Sequence, residues 1–312
     1  MNKAYKFRIY PDEVQKEKIE KTFSCVRFIF NKMLTDKIEH YEHTGKKLIN
    51  TPAQYKKEFP WLKEVDSLAL ANAQMHLQAA YERFFKNPAL GLPKFKSRKH
   101  TKKTYTTNCV NGNIVIQNGL LKLPKIGYIR IKLHREIPDD YKLKSVTVIC
   151  DVGGNYHASV LFEYETEKVT AAPENSIELE YSDKFFYADG SGMAVDYPEN
   201  IKKMIIKIRR ERTKLSHMKY KSKNRAKQRI KVDKLKERLY HRRDDFLHKQ
   251  SRQIANAYDT VCVKEPVGGV ESGFGWSMFK FFLKYKLAGQ GKSFIRTEGI
   301  LLNKMLYSCQ AV

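Results

Sequence analysis

A long basic stretch that leads directly into a short apolar strand constrains the fold of this chain more than any other feature. Residues 201–249 contain twenty Lys and Arg residues against five Asp and Glu. The residue patterns predict helices over 199–217 and 224–258. The second helix is followed at once by Thr260–Val263, an apolar run typical of a strand inside a sheet. A long helix that leads into a buried strand indicates an α/β layer.

Further predicted strands surround these two helices. The segments IELEYS, KFFYADGSG and MAVDYP predict a strand meander before the first helix. After Thr260–Val263, a helix at about 276–288 and a last strand, SFIRT, complete the order. Three strands, two helices, a strand, a helix and a strand is the order of an RNase H-like layer, although many other α/β folds share it.

The N-terminal half predicts a different architecture. KAYKFRIYP alternates like a half-buried strand, and residues 11–90 are mainly helical, with a long helix from about Ser67 to Lys86. Residues 112–166 alternate again, and Asn-Gly pairs at 111–112 and 118–119 are hairpin signals. We expect a small antiparallel barrel here, and we expect the N-terminal strand to join it. The whole chain is therefore predicted to be a multidomain α+β protein.

The charge of the chain indicates its partner. Fifty-nine Lys and Arg against 34 Asp and Glu give a net charge of +25, which a polyanion would neutralise. Nucleic acid is favoured over an anionic membrane surface, because no amphipathic helix with a basic polar face stands out. The five scattered cysteines, the lack of a signal peptide and the lack of a membrane-spanning run predict a cytoplasmic protein.

Two basic regions are candidate phosphate-binding surfaces. The helices over 201–249 are too one-sided in charge for the mixed-sign face of an ordinary solvated helix. Their candidate contacts are Arg209, Arg210, Arg225, Lys227, Arg229, Arg242, Arg243 and His248. The loop at 93–105 and the polar face of the first strand add Lys6, Arg8, Lys94, Lys96, Arg98, Lys99 and Tyr105. The loop aromatics could instead be core anchors.

A lysine ends the apolar run at the position where an RNase H-type nuclease carries a carboxylate. Such nucleases use carboxylates from separate strands to hold two Mg²⁺ ions. Glu178 and Glu180 share one face of the first strand of the layer, whereas Glu265 points to the side opposite Lys264. A cation at Lys264 would repel the metals, so no functional magnesium site is expected. The histidines and cysteines form no paired ligand motif, and zinc is not expected either.

Several segments resemble the TnpB family of transposon-encoded, RNA-guided DNA nucleases, which are similar to compact type V CRISPR nucleases. They are AYKFRIYP, CVRFIFNKML, LGLPKFKSRK, NGNIVIQNGLLKLPKIGYIRIKLHREI, SKNRAKQRIKVDKLKERLYHRRDDFLHKQSRQIANAYDTVCV and LKYKLAGQGKSFI. The resemblance covers nearly the whole chain. It implies a wedge β-barrel formed by residues 1–10 and 112–170, a helical recognition lobe inserted at 11–111, and a RuvC (RNase H-like) domain at 171–312.

The chain departs from the family pattern at the acids. The family's catalytic Asp matches Glu178 in SIELE, and its catalytic Glu matches Lys264 in VCVKEP. No zinc ribbon and no D-R-D-x-N segment appear in FIRTEGILLNKMLYSCQAV, so we expect a degenerate, C-terminally truncated RuvC-like domain. Losing one member of a catalytic unit typically costs several orders of magnitude in rate. The chain therefore most resembles the nuclease-dead repressors of the family, and the sequence predicts that it is not an enzyme.

The predicted function is guide-directed DNA binding. A guide RNA and a double-stranded target with an adjacent motif are the expected partners of a monomer associated with the prokaryotic nucleoid. The R-loop it forms would occupy a promoter and repress transcription. By resemblance, the motif is read near Thr51, Ser67, Leu68, Ala71, Asn108, Val110 and Asn111. Asn108 and Asn111 equally suit a capped turn. Two other functions stay open: a weak guided nuclease using Glu178 and Glu265, and RNA binding alone.

Overall fold

The computed structural model describes residues 1–98, 103–165, 175–181, 185–265 and 275–298. Its chain divides into two compact units, Met1–Glu165 and Thr166–Val312. The first unit contains β1 (Asn2–Tyr10), α1 (Glu13–Thr44), α2 (Tyr55–Glu58), α3 (Ser67–Lys86), β2 (Lys103–Asn108), β3 (Val115–Gln117), β4 (Leu120–Leu123), β5 (Gly127–Lys132), β6 (Lys142–Cys150) and β7 (Tyr156–Glu163). The second contains β8 (Ser176–Tyr181), β9 (Tyr187–Asp189), β10 (Ala194–Val195), α4 (Glu199–Ser216), α5 (Lys223–Ala257), β11 (Thr260–Glu265), α6 (Trp276–Ala288) and β12 (Ser293–Glu298).

The first unit is built on a seven-stranded antiparallel sheet in the order β2-β6-β7-β1-β5-β4-β3. Strand β1 lies between β7 and β5, so the prediction that the N-terminal strand joins the sheet is confirmed. Strand β2 lies within the range expected for the helical lobe, yet it pairs along its length with β6. The pairings of β1 with β7 and of β2 with β6 join residues that are far apart in sequence. Short-range sequence patterns do not specify such pairings.

The two Asn-Gly pairs behave differently. Asn118 and Gly119 both have positive φ angles, 50° and 71°, and they join the paired strands β3 and β4 as a primed hairpin turn requires. Asn111 and Gly112 have the same backbone signs, 50° and 68°. They join β2 to β3, which lie at opposite edges of the sheet order. The turn is therefore present at 111–112, but the predicted hairpin there is wrong.

Helix α1 has a capping residue at each end. Asp12 accepts a hydrogen bond from the Gln15 backbone while the Gln15 side chain accepts one from the Asp12 backbone, a capping box. Gly45 ends the helix in the left-handed conformation that glycine adopts without strain. Between these caps, one face of the helix packs with α3 and the sheet in a single core, through residues that include Ile19, Phe23, Ile29, Phe30 and Met33.

The second unit is a five-stranded sheet in the order β10-β9-β8-β11-β12. Strand β11 runs parallel to both β8 and β12, and β9 and β10 are antiparallel. The element order expected from the sequence is present. A core that includes Leu179, Val261, Val263, Leu247 and Phe279 lies between this sheet and the helices.

Glu211 joins the two long helices of the second unit. It is buried, with 7% of its surface exposed, and it accepts a hydrogen bond from Gln228 of α5 at 2.6 Å. Lys231 Nζ lies 2.9 Å from the same carboxylate and Lys214 Nζ lies 3.5 Å from it. The Gln228 hydrogen bond, followed by the Lys231 bond, lowers the pKa of Glu211 to about 2. A charged group thus helps to hold α4 against α5.

No helix in the described ranges is long and apolar enough to cross a membrane.

Candidate nucleic-acid interface

Lys264, the lysine near the end of β11, forms an ion pair with Glu178 of β8. Residue Cys262 lies opposite Glu178 in the parallel register, and Lys264 lies opposite Glu180. Lys264 Nζ is 2.7 Å from Glu178 Oε1, and about a third of each side chain is exposed (34% and 30%). The Glu178 carboxylate raises the pKa of Lys264. Glu178 Oε1 has no hydrogen bond of ordinary geometry, so the contact is best described as an ion pair.

The described carboxylates do not form a two-metal site. Among the described residues, no three His, Cys, Asp or Glu side chains lie close enough to hold a metal ion. Glu178 already faces Lys264, and Glu180 is exposed. The Asp189 carboxylate accepts hydrogen bonds from the Ser191 backbone and hydroxyl and from the Met193 backbone, as a turn residue does. The Glu265 side chain and residues 266–274 and 299–312, where further acids or a ribbon were considered, lie outside the described residues.

The basic positions of α4 and α5 divide into two groups. Arg209, Arg210, Lys227 and Arg242 are exposed, as a surface for phosphates requires. Arg225 instead donates to the backbone oxygens of Leu215 and Met218, at 2.7 and 2.9 Å, and so closes the loop between the helices.

Arg243, Arg229 and His248 also have partners within the fold. The Arg243 side chain is 12% exposed and pairs with Asp244 at 2.7 Å. Arg229 lies 4.0 Å from Asp233, at the limit of an ion pair. The His248 ring stacks on Phe282 with centroids 3.9 Å apart. Sequence alone could not separate these residues from the exposed group, because both have the same residue types on the same helices.

The basic positions of the first unit divide in the same way. Lys6, Lys94 and Arg98 are exposed, and Lys99 lies outside the described residues. Arg8 donates to Oδ1 of Asn155, the residue just before the neighbouring strand β7, at 2.5 Å. Tyr105 is buried, 3% exposed, and packs edge-on against Phe23. The prediction that Tyr105 contacts nucleic acid is therefore wrong, and the alternative of a core anchor is correct.

The positions expected to read a DNA motif come together through two side-chain contacts. Thr107 of β2 donates to Asp66, the residue that caps α3, which brings Asn108 next to Ser67 and Leu68. Lys56 donates to Ser67 Oγ at 2.7 Å, which connects the segment after Thr51 to the same helix start. Thr51, Ser67, Val110 and Asn111 are exposed; Leu68, Ala71 and Asn108 are partly exposed. The two contacts connect the end of β2 and the segment after Thr51 to the start of α3, and the predicted positions are all at least partly exposed.

Sequence reasoning missed two basic side chains beside Lys96. Arg27 of α1 and His76 of α3 line a cavity that Lys96 also lines. Neither had a sequence signal, since Arg27 and His76 each lack an adjacent basic residue within α1 and α3 and lie far in sequence from the basic loop that carries Lys96. Only the packing of α1, α3 and the loop at 94–98 reveals them.

Family models match both units. Residues 1–46 match "Helix-turn-helix domain", a model of the IS605 OrfB proteins, and residues 183–267 match "Probable transposase", the second OrfB model. The first description does not fit the local structure here, because residues 1–46 form strand β1 followed by the single helix α1.

Curated relatives extend these matches. The chain is 27% identical over 317 aligned positions to a "Putative RNA-guided DNA endonuclease" of Streptomyces pristinaespiralis, covering 95% of this chain and 77% of the relative. It is 24% identical to the "Putative RNA-guided DNA endonuclease InsQ" of Escherichia coli (strain K12), covering 84% of this chain and 65% of that protein. It is also 36% identical over 118 residues to "Virulence protein VsdF" of Salmonella dublin, covering 33% of this chain and 98% of that protein.

A solved structure has the same fold. The chain in "Cryo-EM structure of the Cas12f1-sgRNA-target DNA complex" superposes with a TM-score of 0.60 at 10% identity, over 96% of this chain and 89% of that chain. The fold is thus a mixed α and β, multi-unit architecture with a curled antiparallel sheet, of the Cas12f kind. The two family models and the named relatives support the IS605 OrfB family, also called TnpB, for this chain.

The prediction that the chain is not an enzyme is wrong as a statement about its class. The relatives that align along most of its length are named RNA-guided DNA endonucleases, and the transposase model covers residues 183–267, which include β11 and Lys264. The presence of Glu178 and Lys264 at the positions compared above therefore does not exclude a nuclease. The physical observation that stands is the Glu178–Lys264 ion pair itself.

Proposed function

We propose that this protein binds DNA under the direction of a guide RNA. The observation that carries the proposal is the likeness to the Cas12f1 chain of a guide RNA and target DNA complex over 96% of this chain. In such proteins the polypeptide recognises shape, phosphates and a short motif, while base pairing supplies sequence specificity. Exposed cations on α4 and α5 and in the loop at 94–98 are suited to the phosphates.

The surface at the start of α3 and the end of β2 would read the adjacent motif. Asn108 and Asn111 offer amide groups that can make bidentate contacts with adenine. Ser67 and Thr51 offer hydroxyls. The Asp66–Thr107 hydrogen bond fixes the distance between the two elements, so a change in one half of the surface would disturb the reading by the other half.

The biological consequence we propose is repression by occupancy. An R-loop held at a promoter would obstruct RNA polymerase, and the protein would then work at the nucleoid as a monomer with its guide RNA. The net charge of +25 supports tight, long-lived binding to a polyanion such as nucleic acid.

Guide-dependent binding tests the proposal directly. The full chain is purified with its RNA, that RNA is sequenced, and a duplex matching its 3′ portion is offered beside a library of adjacent motifs. We expect tight binding to the matched duplex, and binding at least a hundredfold weaker when the positions next to the motif are mismatched. Equal affinity for matched and mismatched duplexes, with tight RNA binding, would instead support an RNA-binding protein alone.

Guide-directed cleavage is the second candidate, because the relatives at 27% and 24% identity are named endonucleases. The same matched duplex, incubated with Mg²⁺ and resolved on a denaturing gel, tests it. Cuts at fixed positions that disappear with a mismatched guide would establish cleavage by this chain. Repression would then need to be shown separately, by a reporter assay at the targeted promoter.

A further inference from the structure

A small cavity in the first unit is lined by basic side chains. It lies between α1, α3, β2 and the loop at 94–98, and its volume is about 60 Å³. That volume holds on the order of four water molecules, enough for a phosphate group but too little for a nucleoside. The polar and basic residues that line it are Arg27, Asn72, His76, Lys96, Lys103 and Thr104. None of the described lining residues is acidic.

Lys96 is the most unusual of these residues. Its ammonium lies 3.8 Å from the centroid of the Phe30 ring, a cation–π contact with a buried aromatic. Burial lowers the pKa of Lys96, because water that would solvate the charge is excluded. Among the described residues it forms no ion pair. A partly desolvated cation without an acidic partner is costly unless an anion approaches it.

The loop that carries Lys96 is fixed to helix α1. The Asn31 side chain donates to Lys96 O at 2.9 Å and accepts from Lys96 N at 2.8 Å. This two-way clamp fixes the backbone of Lys96, and the side chain packs on the Phe30 ring beside the cavity. The lysine is therefore held at the cavity before any ligand arrives, which lowers the entropy cost of binding.

Two neighbouring groups complete the arrangement. Arg27 has no hydrogen bond or ion pair to another side chain in the described part of the chain, and its guanidinium can present two donors to one phosphate. His76 lies close enough to Lys96 for the lysine to help lower the pKa of the histidine, after partial burial, which is the larger cause. Lys103 is different, because its ammonium is paired with Glu20 at 2.8 Å.

We propose that this cavity binds one backbone phosphate of the nucleic acid, with Arg27 and Lys96 as its cationic contacts and His76 at its rim. The inference rests on the proposed function for the presence of guide RNA and target DNA. It adds a site that lies beside the motif surface, since Asn72 and His76 continue the i, i+4 row of Leu68 on α3, and this row is next to that of Ser67 and Ala71. A phosphate held there would fix the position of the strand relative to the motif surface.

Single neutral phosphates test this site. The protein with its RNA binds matched duplexes in which one phosphate at a time is replaced by an uncharged methylphosphonate, and a second series places the replacement in the guide RNA. Dissociation constants are measured for wild type, Lys96→Met and Arg27→Gln. At one or two adjacent positions, we expect the replacement to weaken wild type by roughly tenfold to a hundredfold and to weaken the variants little further.

A charge-matched control separates this site from general electrostatics. Lys46→Met removes the same charge from an exposed loop after α1. Lys96→Met should lower the slope of log Kd against log salt by about 0.9, and Lys46→Met should lower it less and couple to no single phosphate. Coupling in the DNA series identifies a target phosphate, and coupling in the RNA series identifies a guide phosphate.

The outcomes that overturn the site are distinct from those that overturn the proposed function. If no position in either series couples to Lys96 or Arg27, while both variants fold with the wild-type melting temperature or higher, the cavity is not a phosphate site. If the duplex binds without regard to the guide, the proposed function fails, and the RNA series still decides the cavity.

Discussion

Two partly buried lysines, one in each unit, differ in how their positive charge is balanced. Lys96 faces a cavity and an aromatic ring and has no acidic partner among the described residues, and burial lowers its pKa. Lys264 faces Glu178 at 2.7 Å, and that carboxylate raises its pKa. The charge of Lys264 is balanced by Glu178 within the fold, whereas the charge of Lys96 is available to an anionic ligand. The same residue type therefore has a ligand-binding role in one unit and a pairing role in the other.

The same division separates the arginines of α4 and α5. Arg209, Arg210 and Arg242 are exposed, whereas Arg225 and Arg243 bond to the fold. Exposure and partners, not residue type, decide which cations can reach a phosphate. Two of the following experiments compare a cation that bonds within the fold with one that is exposed or faces the cavity.

The largest effect is expected from the exposed arginines. Replacing Arg209, Arg210 and Arg242 together by Gln should weaken guide RNA or target binding on the order of a hundredfold at physiological salt, and should lower the salt slope by about 0.9 for each lost phosphate contact. The melting temperature should stay close to that of wild type. Filter binding over a salt series measures both affinity and slope.

The matched variant for that experiment is Arg225→Gln. It should destabilise the helix connection, since the oxygens of Leu215 and Met218 lose their donor. Its salt slope should change less than that of the triple variant. A larger change in slope for Arg225→Gln would contradict the division into exposed and structural cations.

The cap of α3 gives the next effect. Asp66→Ala removes both the cap and the acceptor of Thr107, and should cost about 1–2 kcal/mol in urea unfolding. Thr107→Val keeps the cap and loses only the link to β2. We expect both variants to lose discrimination between adjacent motifs, measured with the motif library, and Thr107→Val to lose less stability. Unchanged motif preference in both would show that the link does not organise this surface.

The two lysines should respond to the same substitution with opposite sign. Lys264→Met leaves the Glu178 carboxylate without its partner and should lower stability by up to about 1 kcal/mol, a small value because a third of each side chain is exposed. Lys96→Met removes a partly desolvated charge that has no acidic partner in the described part of the chain, and it should leave the melting temperature unchanged or higher. Thermal melts of both variants at pH 7 decide this, and a larger loss for Lys96→Met would refute the contrast.

The smallest effect is a pH dependence from Glu211. Its folded pKa of about 2 lies below its ordinary value of 4.5, so its stabilising contribution is complete above about pH 4.5 and is lost as the pH falls towards 2. Wild type should therefore lose stability over this window more steeply than Glu211→Gln. Melting temperatures between pH 5 and pH 2.5 provide the comparison, with parallel curves as the contradicting result.

Much of the fold was predictable because its signals are local. The alternation of KAYKFRIYP, the long helix to Lys86, the Asn118–Gly119 turn and the element order after residue 176 each depend on neighbours in sequence. The failures are non-local. The Asn111–Gly112 turn joins two strands that do not pair with each other, and the pairing of β2 with β6 depends on residues about 40 positions apart.

The site was predictable only in part for the same reason. By residue type, both Lys96 and Arg243 were predicted to contact phosphates, but Arg243 forms an ion pair with Asp244. Tyr105 looked like a loop aromatic and is a core residue. Arg27 and His76 became visible only where three segments meet at the cavity. The prediction made from Lys264 was also wrong. A lysine at that position was expected to exclude an enzyme, but the relatives are named endonucleases and the transposase model covers this residue.

Guide-dependent duplex binding tests the central proposal most directly. The protein is reconstituted with its own RNA or with the same RNA carrying a scrambled 3′ portion, and each complex is titrated against one fixed duplex that matches the native portion. Our account predicts tight binding by the native complex and binding at least a hundredfold weaker by the scrambled one. Equal affinity of the two complexes for that duplex would contradict it.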